Sequence, residues 1–264
     1  MDTLQAIILG IVQGLTEFLP VSSSGHLQLA KELLGVEIAE NLTFDVTLHA
    51  ATVLSTIVVL WSEIRRLICG LFSRRFNEEQ AFVLKIIISM IPIGIVGLLL
   101  RDKIDMMLSS PYIMVIVGAM LLLTSALLAF AYYAKPRIKE RISYRDALII
   151  GIAQAVASMP GLSRSGSTIA TGLLLGNKRS SVATFSFLMV LAPILGEMLL
   201  EIAGGEFSAT GIDTAALAAG FVSAFAVGCL ACKFMIEIVK RGKLIWFAAY
   251  CAVVGLTAIL SYIF

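Results

Sequence analysis

The sequence predicts an all-α polytopic membrane protein: six transmembrane helices plus two re-entrant helix–loop–helix hairpins, arranged as an inverted-topology repeat. Three observations carry this expectation. The 264 residues are 59% hydrophobic and only 14% charged, with a mean hydropathy of +0.95; an average soluble domain carries roughly 25% charged residues. Two apolar stretches, 3–35 and 146–176, are broken near their middles by Pro, Gly and runs of Ser. Those two stretches also match each other without a gap at an offset of 141 residues.

In chain order, the first broken stretch is hairpin 3–35. Each of its halves is shorter than the roughly 20 apolar residues a span needs. Irregular backbone is tolerated at membrane depth only where protein or a water-filled cavity surrounds it, so the stretch enters and leaves on one side. Spans over 45–62, 82–100 and 112–134 follow. The second hairpin, 146–176, precedes spans over 184–203, 215–236 and 244–264. Repeat 1 thus covers about 1–134 and repeat 2 about 145–264, within one membrane domain. Pro92 and Pro193 fall inside spans and should kink them. Such kinks serve packing or open a lateral gap for a long lipid tail. The first 20 residues carry no cationic n-region and no A-x-A site, so no cleaved signal peptide is expected.

The repeat register rests on particular residues. Ala6, Ile8, Gly10, Ile11 and Gln13 fall on Ala147, Ile149, Gly151, Ile152 and Gln154. Ser22, Ser24 and Gly25 fall on Ser163, Ser165 and Gly166, and Leu33, Leu34 and Gly35 on Leu174, Leu175 and Gly176. One hairpin plus three spans is an odd number of crossings, so the second copy is inverted. Inverted repeats bring their broken helices together near the midplane.

Charge distribution orients this arrangement. Fourteen cations fall on one side (Arg65, Arg66, Arg74, Arg75, Lys135, Arg137, Lys139, Arg141, Arg145, Lys178, Arg179, Lys240, Arg241, Lys243) and three on the other (Lys31, Arg101, Lys103). The positive-inside rule makes the first side cytoplasmic. Hairpin 3–35 then enters from outside, and both termini lie outside. The runs Arg65–Arg75 and Lys135–Arg145 read as anchors beside anionic lipid, not as nucleic-acid sites.

An arginine inside the second hairpin needs a reason. Ionisable groups within the membrane are expensive and mark function by default; a structural ion pair to Glu17 is the competing explanation. The first loop offers Glu17, Ser22, Ser23, Ser24 and His26, and the second offers Ser158, Ser163, Arg164, Ser165, Ser167 and Thr168. Gly25, Gly161 and Gly166 let backbone approach a ligand closely. Gly25 and Gly166 are expected just before apolar half-helices, whose N-termini favour an anion. Two opposed helix N-termini, an arginine fork and several hydroxyls describe a phosphate or diphosphate pocket. Serines supply a nucleophile, His26 reaches back toward Ser23, and Glu17 either orients His26 or holds a divalent cation. Arg164 would neutralise charge building on phosphoryl oxygens.

The stretches G-L-T-E-F-L-P-V-S-S-S-G-H at 14–26 and P-G-L-S-R-S-G-S-T at 160–168 resemble the two signature motifs of the bacterial undecaprenyl-diphosphate phosphatases, the family linked to bacitracin resistance. The resemblance covers nearly the whole chain, including F-S-F-L at 185–188 and R-D-A-L-I-I-G-I-A-Q at 145–154. It implies an integral membrane phosphatase that converts undecaprenyl diphosphate to the monophosphate carrier for peptidoglycan and other cell-wall polymers. It also implies an outward-facing site in the bacterial inner membrane and dependence on Mg²⁺ or Ca²⁺. By motif, Glu17, Ser23, His26 and Arg164 are the expected catalytic positions. Ser22, Ser24, Gly25, Ser163, Ser165, Gly166 and Thr168 would bind the diphosphate. Many members carry an acid where this chain has Gln13. Gln13 and Glu17 share a helix face four residues apart, so Gln13 offers a metal a carbonyl oxygen without charge. The cation then rests mainly on Glu17 and the substrate phosphates. The expected partners are a prenyl diphosphate lipid and the bilayer, with no nucleic acid; a homodimer is compatible with the sequence.

Other residues fit plainer roles. Cys229 and Cys232 form a C-x-x-C inside an apolar segment and read as small packing residues, as do Cys69 and Cys251. His49 is a core histidine or a group behind the pocket. Glu197 and Glu201 lie four apart near the outer end of their span. Two other functions share the architecture: a secondary transporter and a non-catalytic lipid-binding module. Neither requires the set Glu17, Ser23 and His26.

Whether Ser23 or His26 attacks phosphorus is open at this level.

Overall fold

The computed structural model describes residues 1–36, 42–108, 110–134, 139–203 and 213–263. Among them lie thirteen helices: α1 (Thr3–Thr16), α2 (Ser23–Leu33), α3 (Leu42–Val59), α4 (Trp61–Leu71), α5 (Glu78–Leu99), α6 (Arg101–Leu108), α7 (Ile113–Tyr133), α8 (Tyr144–Val156), α9 (Arg164–Leu174), α10 (Arg179–Met189), α11 (Leu191–Ala203), α12 (Thr214–Arg241) and α13 (Ile245–Ile263). The described residues contain no strand beyond a single bridge between Lys139 and Asn177.

The two broken stretches fold as paired short helices, α1 with α2 and α8 with α9. Their details repeat at the same offset of 141. Asp2 caps α1 by accepting from the Gln5 amide, and Ser143 caps α8 by accepting from that of Asp146. Helices α2 and α9 begin and end at equivalent residues. Both close on a glycine with positive φ, +64° at Gly35 and +83° at Gly176. At each of these ends, amide 36 or 177 donates to carbonyl 31 or 172. This is the 6→1 closure of a left-handed helix cap, which requires a residue without Cβ.

Among the described residues α5, α7, α12, α13 and the stretch Arg179–Gly196, which runs through α10 into α11, are long and apolar enough to cross a membrane, and the bent pair α3–α4 would make a sixth; the protein is a multi-pass membrane protein. Two expected spans differ in shape. The 45–62 segment is α3, which turns by 77° at Leu60 into the amphipathic α4. The 184–203 segment is divided into α10 and α11 at Val190. Pro193 explains that break: it has no N–H for the Met189 carbonyl four residues earlier, and its ring crowds that carbonyl. The equivalent position in the first copy is Thr52, and α3 runs through it. Pro92 sits inside α5 without dividing it. The side chains of Glu197 and Glu201, and residues 135–138 with Lys135 and Arg137, lie outside the described residues.

Small residues let the long helices touch. Helix α1 lies on α12, where a Cβ on Gly10 would come within 2.5 Å of the Gly220 carbonyl. Helix α8 lies on α5 in the equivalent way, with Gly151 against the Ser89 carbonyl at 2.4 Å. Close backbone approach of this kind holds helices together where lipid removes the hydrophobic driving force. Ser89 is also the sole residue of α5 that is buried. Phe82, Val83, Ile86 and Met90 of α5 pack half-buried against the core, while Ile87, Ile91, Ile95, Leu98 and Leu99 are exposed. A core built on Phe18, Leu128, Ile169, Phe187 and Met235 ties the two halves together beneath the loops, with the Phe18 and Phe187 rings 6.0 Å apart.

Candidate active site

The loop after α1 and the loop before α9 meet. The Ser165 hydroxyl donates to the Leu19 carbonyl at 3.1 Å. A Cβ on Gly166 would lie 3.2 Å from that of Pro20. Gly161 has φ +89°, and the Val117 backbone passes 2.6 Å from where a Cβ would stand, so the position excludes any side chain on both counts. The loops are therefore held by α7 behind them and by each other in front.

Glu17 stands at the centre, at the C-terminal cap of α1. Its carboxylate is 6% exposed and faces the Arg164 guanidinium at 3.5 Å and the His49 imidazole at 4.0 Å. The Gln13 amide donates to it at 2.9 Å from one turn earlier, and the Ser23 hydroxyl faces it. A buried carboxylate would be prohibitive without such partners. Ser23 and Arg164 are the first residues of α2 and α9, so the two halves place a hydroxyl and a cation at equivalent positions.

Equivalent serines serve differently. Ser163 accepts from the Gly166 amide at 3.1 Å and so caps α9. Ser22 makes no cap bond, and it alone among the described non-glycine residues has a positive φ, +69°. The first-turn amides of α2 therefore have no side-chain cap, and the backbone strain at Ser22 is of a kind that clusters at ligand sites. Within each loop the outer hydroxyls pair, Ser22 with Ser24 at 3.4 Å and Ser163 with Ser165 at 3.3 Å. Gly25 and Gly166 lie inside the first turns of α2 and α9 rather than ahead of them.

Two expected placements differ, and a third, left between two readings, is decided. His26 is not bonded to Glu17. Its Nδ1 lies 2.9 Å from the Ser22 carbonyl and its Nε2 lies 2.7 Å from the Tyr250 hydroxyl. A carbonyl only accepts, so Nδ1 carries the proton and Nε2 presents the lone pair. Thr168 is buried and donates to carbonyls 164 and 165 of its own helix, so it braces α9 from behind. His49 belongs beside Glu17, which decides between its two sequence readings.

Two groups went unread in the sequence. Tyr250 stacks on His26 with centroids 5.7 Å apart and planes at 20°; a half-exposed tyrosine in a span ordinarily reads as part of an interfacial belt. Thr124 accepts from the Ser163 amide at 3.2 Å. Its signal was the Thr124-Ser125 pair of hydroxyls inside an apolar span.

Among the described residues no three His, Cys, Asp or Glu side chains gather as a metal cluster. What the site offers a hard cation is the Glu17 carboxylate and the buried Gln13 Oε1, which has no partner. Two protein oxygens fit an ion completed by water and phosphate oxygens, as Mg²⁺ commonly is, and not an all-protein cage.

Fold and site together define a multi-pass membrane protein with a charged side-chain cluster where two paired-helix loops meet. The family model described as bacitracin resistance protein BacA matches residues 6–257, and the chain belongs to that family. A relative in Parabacteroides distasonis is 59% identical over 262 residues, covering 98% of both chains; it is named undecaprenyl-diphosphatase. One of the same name in Bacteroides fragilis is 58% identical over 98% of both chains. Another in Methanosphaera stadtmanae is 38% identical over 277 residues and 98% of both.

Proposed function

We propose that this chain hydrolyses undecaprenyl diphosphate to undecaprenyl phosphate and inorganic phosphate, recycling a lipid carrier for peptidoglycan and other cell-wall polymers. The observation that carries the reading is the gathering of Arg164, Glu17 and Ser23 at the junction of the two loops. The names of the relatives supply the substrate.

In this mechanism the Arg164 guanidinium and the uncapped amides of α2 bind the diphosphate. The Ser23 oxygen attacks the terminal phosphorus, and its proton passes to His26 Nε2 as the Tyr250 hydroxyl gives up that lone pair. The bond from that phosphorus to the bridging oxygen breaks, and undecaprenyl phosphate leaves. Water then cleaves the phosphoserine, releasing phosphate and restoring the Ser23 hydroxyl. Glu17 holds Arg164 and Ser23 in register. Ser22, Ser24, Ser163 and Ser165 line the phosphate path. Mg²⁺ or Ca²⁺, when bound by Glu17 and Gln13, would offset phosphate charge. His26 as nucleophile is the rival scheme, since the same lone pair could attack.

We read the two paired-helix stretches as re-entrant hairpins and the halves as an inverted repeat in one domain, 1–134 and 145–264. The equivalent helix ends, caps and glycines support this, as does the exchange of α1 on α12 for α8 on α5. The site opens outward, from the bacterial inner membrane toward the side of the first hairpin. In support, Ser23 and His26 are partly exposed and Ser24 is exposed, whereas Ser163, Ser167 and Thr168 are buried.

Phosphate release from undecaprenyl diphosphate by the purified chain in detergent, with Mg²⁺, tests the reading. Release is expected; flux of lipid phosphate across vesicles without release would favour a transporter instead. Mass spectrometry of acid-quenched enzyme separates the two nucleophiles: phosphate on Ser23 is expected, and phosphate on His26 would replace the serine scheme.

A further inference from the structure

Helices α12 and α13 are consecutive but part company at their turn. Helix α12 packs on α1, α3 and α10, and α13 packs on α7. The wedge between them holds a cavity of about 590 Å³, lined by Phe234, Glu237, Ile238, Arg241, Lys243, Trp246 and Phe247, within the range of small-ligand pockets. Both helices are candidate spans, so their turn lies at a membrane face, and the wedge opens to the lipid beside it.

The lining combines two chemistries. At the turn stand Arg241 and Lys243. Arg241 pairs with Glu237 at 2.7 Å, one turn back, which leaves its other N–H donors unspent. Among the described residues neither the Lys243 ammonium nor the Trp246 indole N–H has a hydrogen-bond or ion-pair partner. The lining therefore carries one net positive charge. Toward the bilayer stand the aromatics; Trp246 is 74% and Phe234 57% exposed. Cations above and aromatic rings below match an amphiphile with an anionic head and an apolar tail.

We propose that this wedge binds an anionic glycerophospholipid, with Arg241 and Lys243 on its phosphate and Phe234, Trp246 and Phe247 against its glycerol and first acyl methylenes. Nothing in the proposal depends on the phosphatase reading. A bound lipid would fill the gap that the turn cannot close and would brace α12 against α13.

Trp246 reports on its own site. The chain has two tryptophans, so the Trp61→Phe variant leaves Trp246 as the only indole. Its fluorescence is measured in vesicles of phosphatidylcholine containing a minor fraction of brominated phosphatidylglycerol, and in the reverse mixture. Quenching by the brominated anionic lipid is expected to exceed that by brominated phosphatidylcholine about five-fold in relative binding constant for each cation engaged. Lys243→Gln and Arg241→Gln should each remove about one such factor. Arg241→Gln also frees Glu237; if it fails to fold, Lys243→Gln decides. Equal quenching by the two lipids would reduce Trp246 to an interfacial belt residue and overturn the proposal. So would a preference that Lys243→Gln leaves undiminished. Unbrominated competitors test the source. Relief of quenching by phosphatidylglycerol supports the site. Relief by a polyprenyl phosphate or inorganic phosphate but not by phosphatidylglycerol overturns the assignment to phospholipid.

Discussion

The Arg164 guanidinium lies 3.5 Å from the Glu17 carboxylate, across the junction of two loops that are 147 residues apart in the chain. Glu17 is only 6% exposed, and a carboxylate so buried is tolerable only beside a partner charge. Arg164→Ala should lower phosphate release by roughly 10³-fold, as loss of a phosphoryl-binding arginine does. Arg164→Lys should recover part of it, because the charge remains but the planar fork is lost. Release rates at saturating substrate, with thermal midpoints in detergent as the folding control, check this. Full activity in a folded Arg164→Ala variant would make the pair purely structural.

Tyr250 holds the lone-pair nitrogen of His26 at 2.7 Å. Tyr250→Phe keeps the stacking but removes the hydroxyl. One neutral hydrogen bond is worth about 1 kcal/mol, so kcat should fall about five-fold while KM moves little. Tyr250→Ala, which removes the ring as well, should cost more. Steady-state kinetics of both variants decide whether the hydroxyl or only the ring matters.

Gln13 lies one turn from Glu17 and donates to it at 2.9 Å, while its Oε1 is buried without a partner. Gln13→Glu should lower the Mg²⁺ concentration that gives half-maximal phosphate release, because a second carboxylate joins Glu17. In a chelator the same variant should unfold at lower temperature than the parent, two buried carboxylates then being left face to face. A Mg²⁺ titration of activity and a melting curve with chelator test the two halves separately.

Gly151 has no room for a side chain. A Cβ there would meet the Ser89 backbone at 2.4 Å, and backbone cannot turn aside as a side chain can. Gly151→Ala should destabilise by about 1–3 kcal/mol, the usual range for overpacking. Gly97→Ala, on the same helix as Ser89, meets nothing within 4 Å and should be neutral or slightly stabilising. Melting temperatures of the two variants in one detergent give the comparison.

Much of the protein was legible in residue order because it depends on local rules. A stretch broken by Pro, Gly and Ser cannot form one long helix, and Gly35 and Gly176 mark where α2 and α9 must stop. Pro193 foretold that its span would bend, although not that the break would fall at Val190. The motif residues Glu17, Ser23 and Arg164 were named from the chain alone, and they do stand together.

What residue order could not determine was which side chains share each contact. Spacing put His26 within reach of Ser23 and Glu17, yet its ring turns to Tyr250, 224 residues away. Glu17 takes Arg164 and His49 instead. Periodicity assigns a residue to a face of its own helix; it does not say how that helix is rotated against a neighbour from the far end of the chain. That rotation is set where α1 beds onto α12 and α13 onto α7, through backbone contacts at Gly10, Gly118 and Gly255. The chemistry of the site was thus carried by the sequence, while its pairings were decided by packing.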